Sequence, residues 1–218
     1  MQTDRSLNGE NLFESHVLCF AMSRGLDTRE KIISKSARLF NVLGYHGCSL
    51  SDIMEATNLK KGGIYNHFKN KDEIALEAFD YSFKQVQQQF RKRLDHDKTP
   101  TEKLNSIIEV YAKLASIPGM EGGCPIFNTA VDASNSHPLL KEKAVGAINT
   151  LKKYIEIKVQ EGIASGEFRK DADQNDLATL IIITLEGAII MARVNDKSCI
   201  DVAVKSLKRY LKERIYKK

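Results

Sequence analysis

From residue 27 to residue 215 the apolar positions of this chain recur at steps of three and four, and no stretch alternates apolar with polar. A step near 3.6 keeps one face of a helix apolar, whereas a half-buried strand needs a period of two. The expected fold class is therefore all-α. Ile32, Ile33, Ser36, Ala37, Phe40 and Leu43 form the first stripe, and Gly44 ends it. Leu76, Phe79, Phe83, Val86, Phe90 and Leu94 mark a long helix starting at Asn70 or Asp72. Further helices are expected over about 101–117, 126–131, 138–163, 176–194 and 198–215, separated by Gly/Pro-rich or polar breaks such as "PGMEGGCP" and "SGEFRKDADQND". Residues 1–25 have no sustained periodicity and read as a flexible arm or an over-extended start, with Met22 as an alternative beginning.

The stretch between the first stripe and the long helix is the most informative. "SLSD" at 49–52 reads as a capping box, with Ser49 and Asp52 satisfying each other's backbone N–H groups. The helix it opens, about 50–57, should bury Ile53 and Ala56, and Asn58 tolerates the left-handed stop that follows. A second short helix then carries Ile64, Tyr65 and Phe68. Two short helices joined by a four-residue turn form a helix-turn-helix arrangement, whose second member enters the major groove of DNA.

The segment "KKGGIYNHFKNKDEI" (60–74) suits that role. Gly62 and Gly63 remove side chains where backbone N–H groups must come close to phosphate, and a helix N-terminus favours an anion. Lys60, Lys61 and Lys71 supply charge, and Tyr65 offers a hydroxyl. Asn66 and His67 are placed to face base edges or nearby backbone, since Asn pairs bidentately with adenine. Phe68 lies four residues after Ile64 and packs into the small core. The plainer alternative is a solvated basic helix end, with His67 merely exposed. Charge placement favours DNA: residues 28–93 hold twelve Lys/Arg against seven Asp/Glu, which accounts for the whole net charge of +5.

"GYHGCSLSDIMEATNLKKGGIYNHFKNKDEI" resembles the DNA-binding motif of the tetracycline-repressor (TetR/AcrR) family of bacterial transcription regulators. The resemblance covers about residues 28–79, and "GGCPIFNTAVDAS" resembles a segment of one subgroup. It implies DNA contacts from Ser49, Ser51, Lys61, Gly63, Tyr65, Asn66, His67 and Lys71. The chain departs from the family at Asn58, where Gly is usual, at Lys60, often Ser, and at Gly63, often Thr, so one hydroxyl contact to the DNA backbone is missing. The family implies a helix-turn-helix domain over 26–72 and a ligand-binding and dimerisation domain over 73–218. It also implies a homodimer whose last two helices, at about 176–194 and 198–215, form a four-helix bundle with their copies. The expected function is a cytoplasmic repressor, released from a palindromic operator when a small-molecule effector binds.

The second part carries little that suggests catalysis. His137 stands before a proline with no carboxylate or thiol set spaced around it, and Glu186 and Arg193 read as isolated charges. The four cysteines include no CxxC pair, so neither a zinc site nor a disulfide framework is expected, and no metal or cofactor is implied. "LATLIIITLEGAIIMARV" is interrupted by Glu186 after nine residues, too early for a membrane span. A helix apolar on nearly every side must be buried on every side, against the core and a second subunit or centrally within one. Tyr111, Cys124, Phe127, Asn128 and Met191 are the candidate effector-pocket residues. Cys124 has two readings: a thiol sensor of oxidants or electrophiles, which needs a lowered pKa, or an inert small hydrophobe. A non-regulatory architectural DNA-binding protein is a further alternative.

Overall fold

The computed structural model of the chain describes the backbone of residues 9–217 and the side chains of residues 26–217. Helix α1 runs Gly9–Gly47, α2 Leu50–Thr57, α3 Lys61–Tyr65, α4 Lys71–Leu94 and α5 Pro100–Ala112. A 3₁₀ turn at Leu114–Ser116 leads to α6 Pro125–Asp132, α7 Pro138–Ser165, α8 Gln174–Val194 and α9 Ser198–Tyr210, and a π-helical turn Leu211–Ile215 closes the chain. Among the described residues the only β pairing is an isolated bridge between Phe168 and Tyr216. Of the arm expected over 1–25, residues 1–8 lie outside the described residues, and from Gly9 the backbone is already helical.

The first stripe ends where its glycine predicts. Gly44 has φ 76 and ψ 168, a conformation that breaks the path of α1 and that a side chain would strain. Caps set the later boundaries. Thr99 and Glu102 form a reciprocal capping box before Pro100, and Asp173 accepts from the N–H groups of Asn175 and Asp176 at the head of α8.

Two apolar cores result. Ile32, Cys48, Ile53, Ile64, Phe68 and Ile74 form the smaller. The larger runs from Ala75 to Ile215 and takes in α4 to α9. The changeover falls inside α4, between Ile74 and Ala75, so one continuous helix belongs to both. Ala56, expected inside, is half-buried; Thr57 is enclosed instead, its hydroxyl donating to the Ile53 carbonyl at 2.6 Å.

By length and composition alone helix α8, Glu186 included, could cross a membrane, as a packed core helix also could. One face carries Leu177, Ile181, Leu185 and Ile189 into the larger core. The other leaves Ile183, Ile190, Met191 and Val194 exposed, and α9 exposes Val202 and Tyr210.

Candidate nucleic-acid interface

Local bonds build the helix-turn-helix unit. Ser49 Oγ accepts from Asp52 N at 3.2 Å, while Asp52 Oδ2 accepts from Ser49 N at 2.7 Å. Hydrogen bonds from Ser49 hold the Asp52 carboxyl below its ordinary range. Asn58 adopts φ 54 and ψ 39, the left-handed stop expected of it. The turn then delivers the five-residue α3, which buries Ile64. Phe68 is 2% exposed, and the Arg29 guanidinium covers its ring 4.7 Å from the centroid. Asn70 accepts from Glu73 N at 2.9 Å and starts α4.

Ser49, Ser51, Lys60, Lys61, Gly62, Tyr65 and Asn66 are exposed, along the N-terminus of α2, the end of the turn and α3. Gly63 and His67 are half-buried. Tyr65 is 44% exposed, with Lys61 Nζ 5.8 Å from its ring centroid. Neither glycine is demanded by the protein's own packing. A Cβ at Gly62 would meet open space, and at Gly63 only ordinary contact with Leu59 at 3.6 Å.

Lys71 is placed differently from the other basic candidates. Its ammonium donates to the carbonyls of Tyr45 at 2.7 Å and Cys48 at 2.9 Å, and lies 4.2 Å from the Tyr45 ring centroid. Two of its three donors therefore tie the end of α1 to the start of α4. The Tyr45 hydroxyl donates to Asp72; burial first, and then this bond, push its pKa up to about 12.

Tyr111, Cys124 and Glu186 come together in the larger core. Their relative exposures are 0%, 1% and 5%. The Tyr111 hydroxyl donates to Glu186 Oε1, so Glu186 is not the isolated charge its sequence position suggested. Burial pushes the Glu186 carboxyl up to about 7. Burial, and then the Glu186 charge, also push the Cys124 thiol well up, outweighing bonds from Phe127 and Ile126 N–H at the head of α6. A sensor thiol needs the opposite shift.

The other pocket candidates are dispersed. Phe127 packs partly buried against the core, Asn128 turns toward α1, and Met191 is 50% exposed. Periodicity could not orient Met191, because α8 is apolar on both faces. A cavity of about 170 Å³ opens between α4, α6 and α7, walled by Phe83, Val86, Phe90, Ile126 and Leu151, with Arg91 and Tyr154 also lining it. None of the five expected pocket residues lines it. Its α4 wall lies on the stripe already legible in sequence, but pairing that stripe with Ile126 and Leu151 is a long-range contact.

An N-terminal helix-turn-helix unit sharing a long helix with a larger helical domain defines a class of DNA-binding transcription regulators. Residues 32–78 match the tetR family of bacterial regulatory proteins, and residues 100–207 match the tetracyclin repressor-like C-terminal domain. The uncharacterised HTH-type transcriptional regulator YxaF of Bacillus subtilis is 31% identical over 178 residues, covering 79% of this chain and 88% of that one. The HTH-type transcriptional repressor DhaR of Mycobacterium sp. (strain GP1) is 26% identical over 167 residues, covering 76% and 82%. A TetR transcriptional regulator from Chloroflexus aurantiacus has a crystal structure that superposes with a TM-score of 0.85 at 39% identity, covering 89% of this chain and 98% of that one. The chain belongs to the tetR family and is a DNA-binding transcriptional regulator.

Proposed function

We propose that the protein is a homodimeric cytoplasmic repressor. Each subunit presents α3 to one half of a palindromic operator, and an apolar effector releases the complex. The glycine pair carries the DNA-facing part. Glycine inside a helix costs about 1 kcal/mol relative to alanine, and nothing in the fold requires it at 62 or 63. Two such residues, exposed or half-exposed beside Lys60 and Lys61, make sense as clearance for a phosphate backbone. Ser49, Ser51, Tyr65, Asn66 and His67 complete the contact surface. Lys71 acts mainly by fixing α1 against α4.

Dimerisation is assigned to the exposed apolar faces of α8 and α9, since a contiguous apolar face of this kind marks an interface. Two recognition helices related by a twofold axis then require half-sites one turn, about 34–36 Å, or a multiple of it apart. The effector site is assigned to the cavity between α4, α6 and α7, because a molecule lodged there bears directly on the helix that both cores share. Release requires the effector to prefer the conformation that does not fit the operator.

Selection of operator sequences from random duplexes, followed by gel shift and sedimentation, tests this reading. A palindrome should emerge, and Lys61→Ala with Tyr65→Ala should abolish its binding while leaving the dimer intact. Undiminished operator binding by that double variant would refute the interface. A thermal-shift screen of apolar compounds, repeated on Phe90→Ala, tests the effector site.

A further inference from the structure

The motif "GGCPIFNTAVD" contains an asparagine that neither the DNA surface nor the effector cavity uses. Asn128 on α6 has its whole amide engaged. Its Nδ2 hydrogens are shared among Asn41 Oδ1 at 2.7 Å, Gly122 O at 2.8 Å and Asn41 O at 3.3 Å. Its Oδ1 accepts from Arg193 Nη1, on α8, at 3.2 Å. Asn41, on α1, is 6% exposed and donates to Gly123 O at 3.2 Å. The backbones meet so closely that a Cβ at Gly122 would stand 2.2 Å from the Asn41 carbonyl oxygen. One turn further along α6, Asp132 Oδ2 accepts from Tyr45 N at 2.6 Å, beside Gly44 with its positive φ.

Helix α1 is thus held at two points on α6, and one of them is bonded to α8 as well. Only two side chains, Arg193 and Asn128, separate the proposed dimer helix from the first helix of the DNA-binding domain. We propose that Asn128 is a positioning residue that fixes the DNA-binding domain relative to the twofold axis, and so sets the half-site spacing that the dimer accepts. The inference rests on the reading that α8 lies at the dimer interface. Its physical basis is effective concentration. Once one recognition helix is bound, a rigid connection presents the second at the right separation, whereas a loose one spreads it over many separations.

The test compares the wild type with Asn128→Ala, Asn128→Asp and Asn41→Ala on three kinds of duplex. These are the selected palindrome, a single half-site, and palindromes with one base pair added or removed at the centre. Asn128→Ala should bind the palindrome about tenfold more weakly, with half-site affinity unchanged and less discrimination against altered spacing. Asn41→Ala should behave in the same way. Asn128→Asp keeps the acceptor for Arg193 but loses the amide donors, so it should also fail to restore spacing discrimination. A purely structural role would lower half-site and palindrome affinity together; that result, or unaltered spacing discrimination, overturns the proposal. If the wild type itself gains nothing from the palindrome over a half-site, the dimer reading fails, and the inference with it.

Discussion

The two cores of this molecule are held together differently. The smaller contains six buried apolar residues, and polar bonds surround it: the Ser49–Asp52 box, the Asn58 stop, the Asn70 cap and the Lys71 ammonium on two carbonyls. The larger is mostly hydrocarbon across six helices, yet it encloses the Glu186 carboxyl group. A small unit cannot bury enough surface to be stable on apolar contact alone. It compensates with caps, and with a helix that its neighbour also holds. The large unit has surface to spare and tolerates an unfavourable group inside. Stability thus sits in one region, and exposed chemistry in the other.

The most severe break should come from the small core. Phe68→Ala removes a side chain that is 2% exposed, and large-to-small changes of this kind cost about 3–5 kcal/mol. Calorimetry should show a separate low-temperature transition, with operator binding lost and the dimer retained in sedimentation. A single cooperative transition at the wild-type midpoint would mean that the cores are not unequal.

Glu186→Gln tests the large core. The folded carboxyl holds its proton up to about pH 7, against an ordinary value of 4.5, so the folded state binds more protons between those values. Wild-type stability should therefore fall as pH rises through that window and level off above it. Relative to the wild type, Glu186→Gln should gain about 2–3 kcal/mol between pH 5 and pH 8. Denaturant titrations at the two pH values measure this.

Lys71→Met separates fixing from DNA contact. It should destabilise the free protein by about 1–2 kcal/mol through two lost charge-assisted bonds. Lys61→Ala should leave stability nearly unchanged but reduce the salt dependence of operator binding by about one phosphate contact. Gly62→Ala should raise stability by up to about 1 kcal/mol while operator affinity falls. A gain in both would remove the argument from clearance.

The same contrast explains what could be read without coordinates. Caps and stops act over three or four residues, so Ser49, Asp52, Asn58 and Asn70 were legible, and with them the helix-turn-helix unit. Lys71 reads from sequence as a DNA contact; its carbonyl partners, 23 and 26 positions away, are not legible there. Asn128 reads from sequence as a pocket residue; its bond to Asn41, 87 positions away, is beyond a local reading. Met191 could not be assigned a side, because a helix apolar all round has no periodic cue. Nothing local in the sequence joins Tyr111, 75 positions away, to Glu186.

Helix α4 has 24 residues and so spans about 36 Å. Packed in the larger core from Ala75 onward, it carries the DNA-binding unit on its N-terminal end. The cavity lines α4 at residues 83–91, so a rotation of about 5° there would swing the N-terminal end, about 24 Å away, by about 2 Å. One base step of DNA rises by about 3.4 Å. A rotation of a few degrees inside the large core thus already displaces that end by more than half of one letter of the operator.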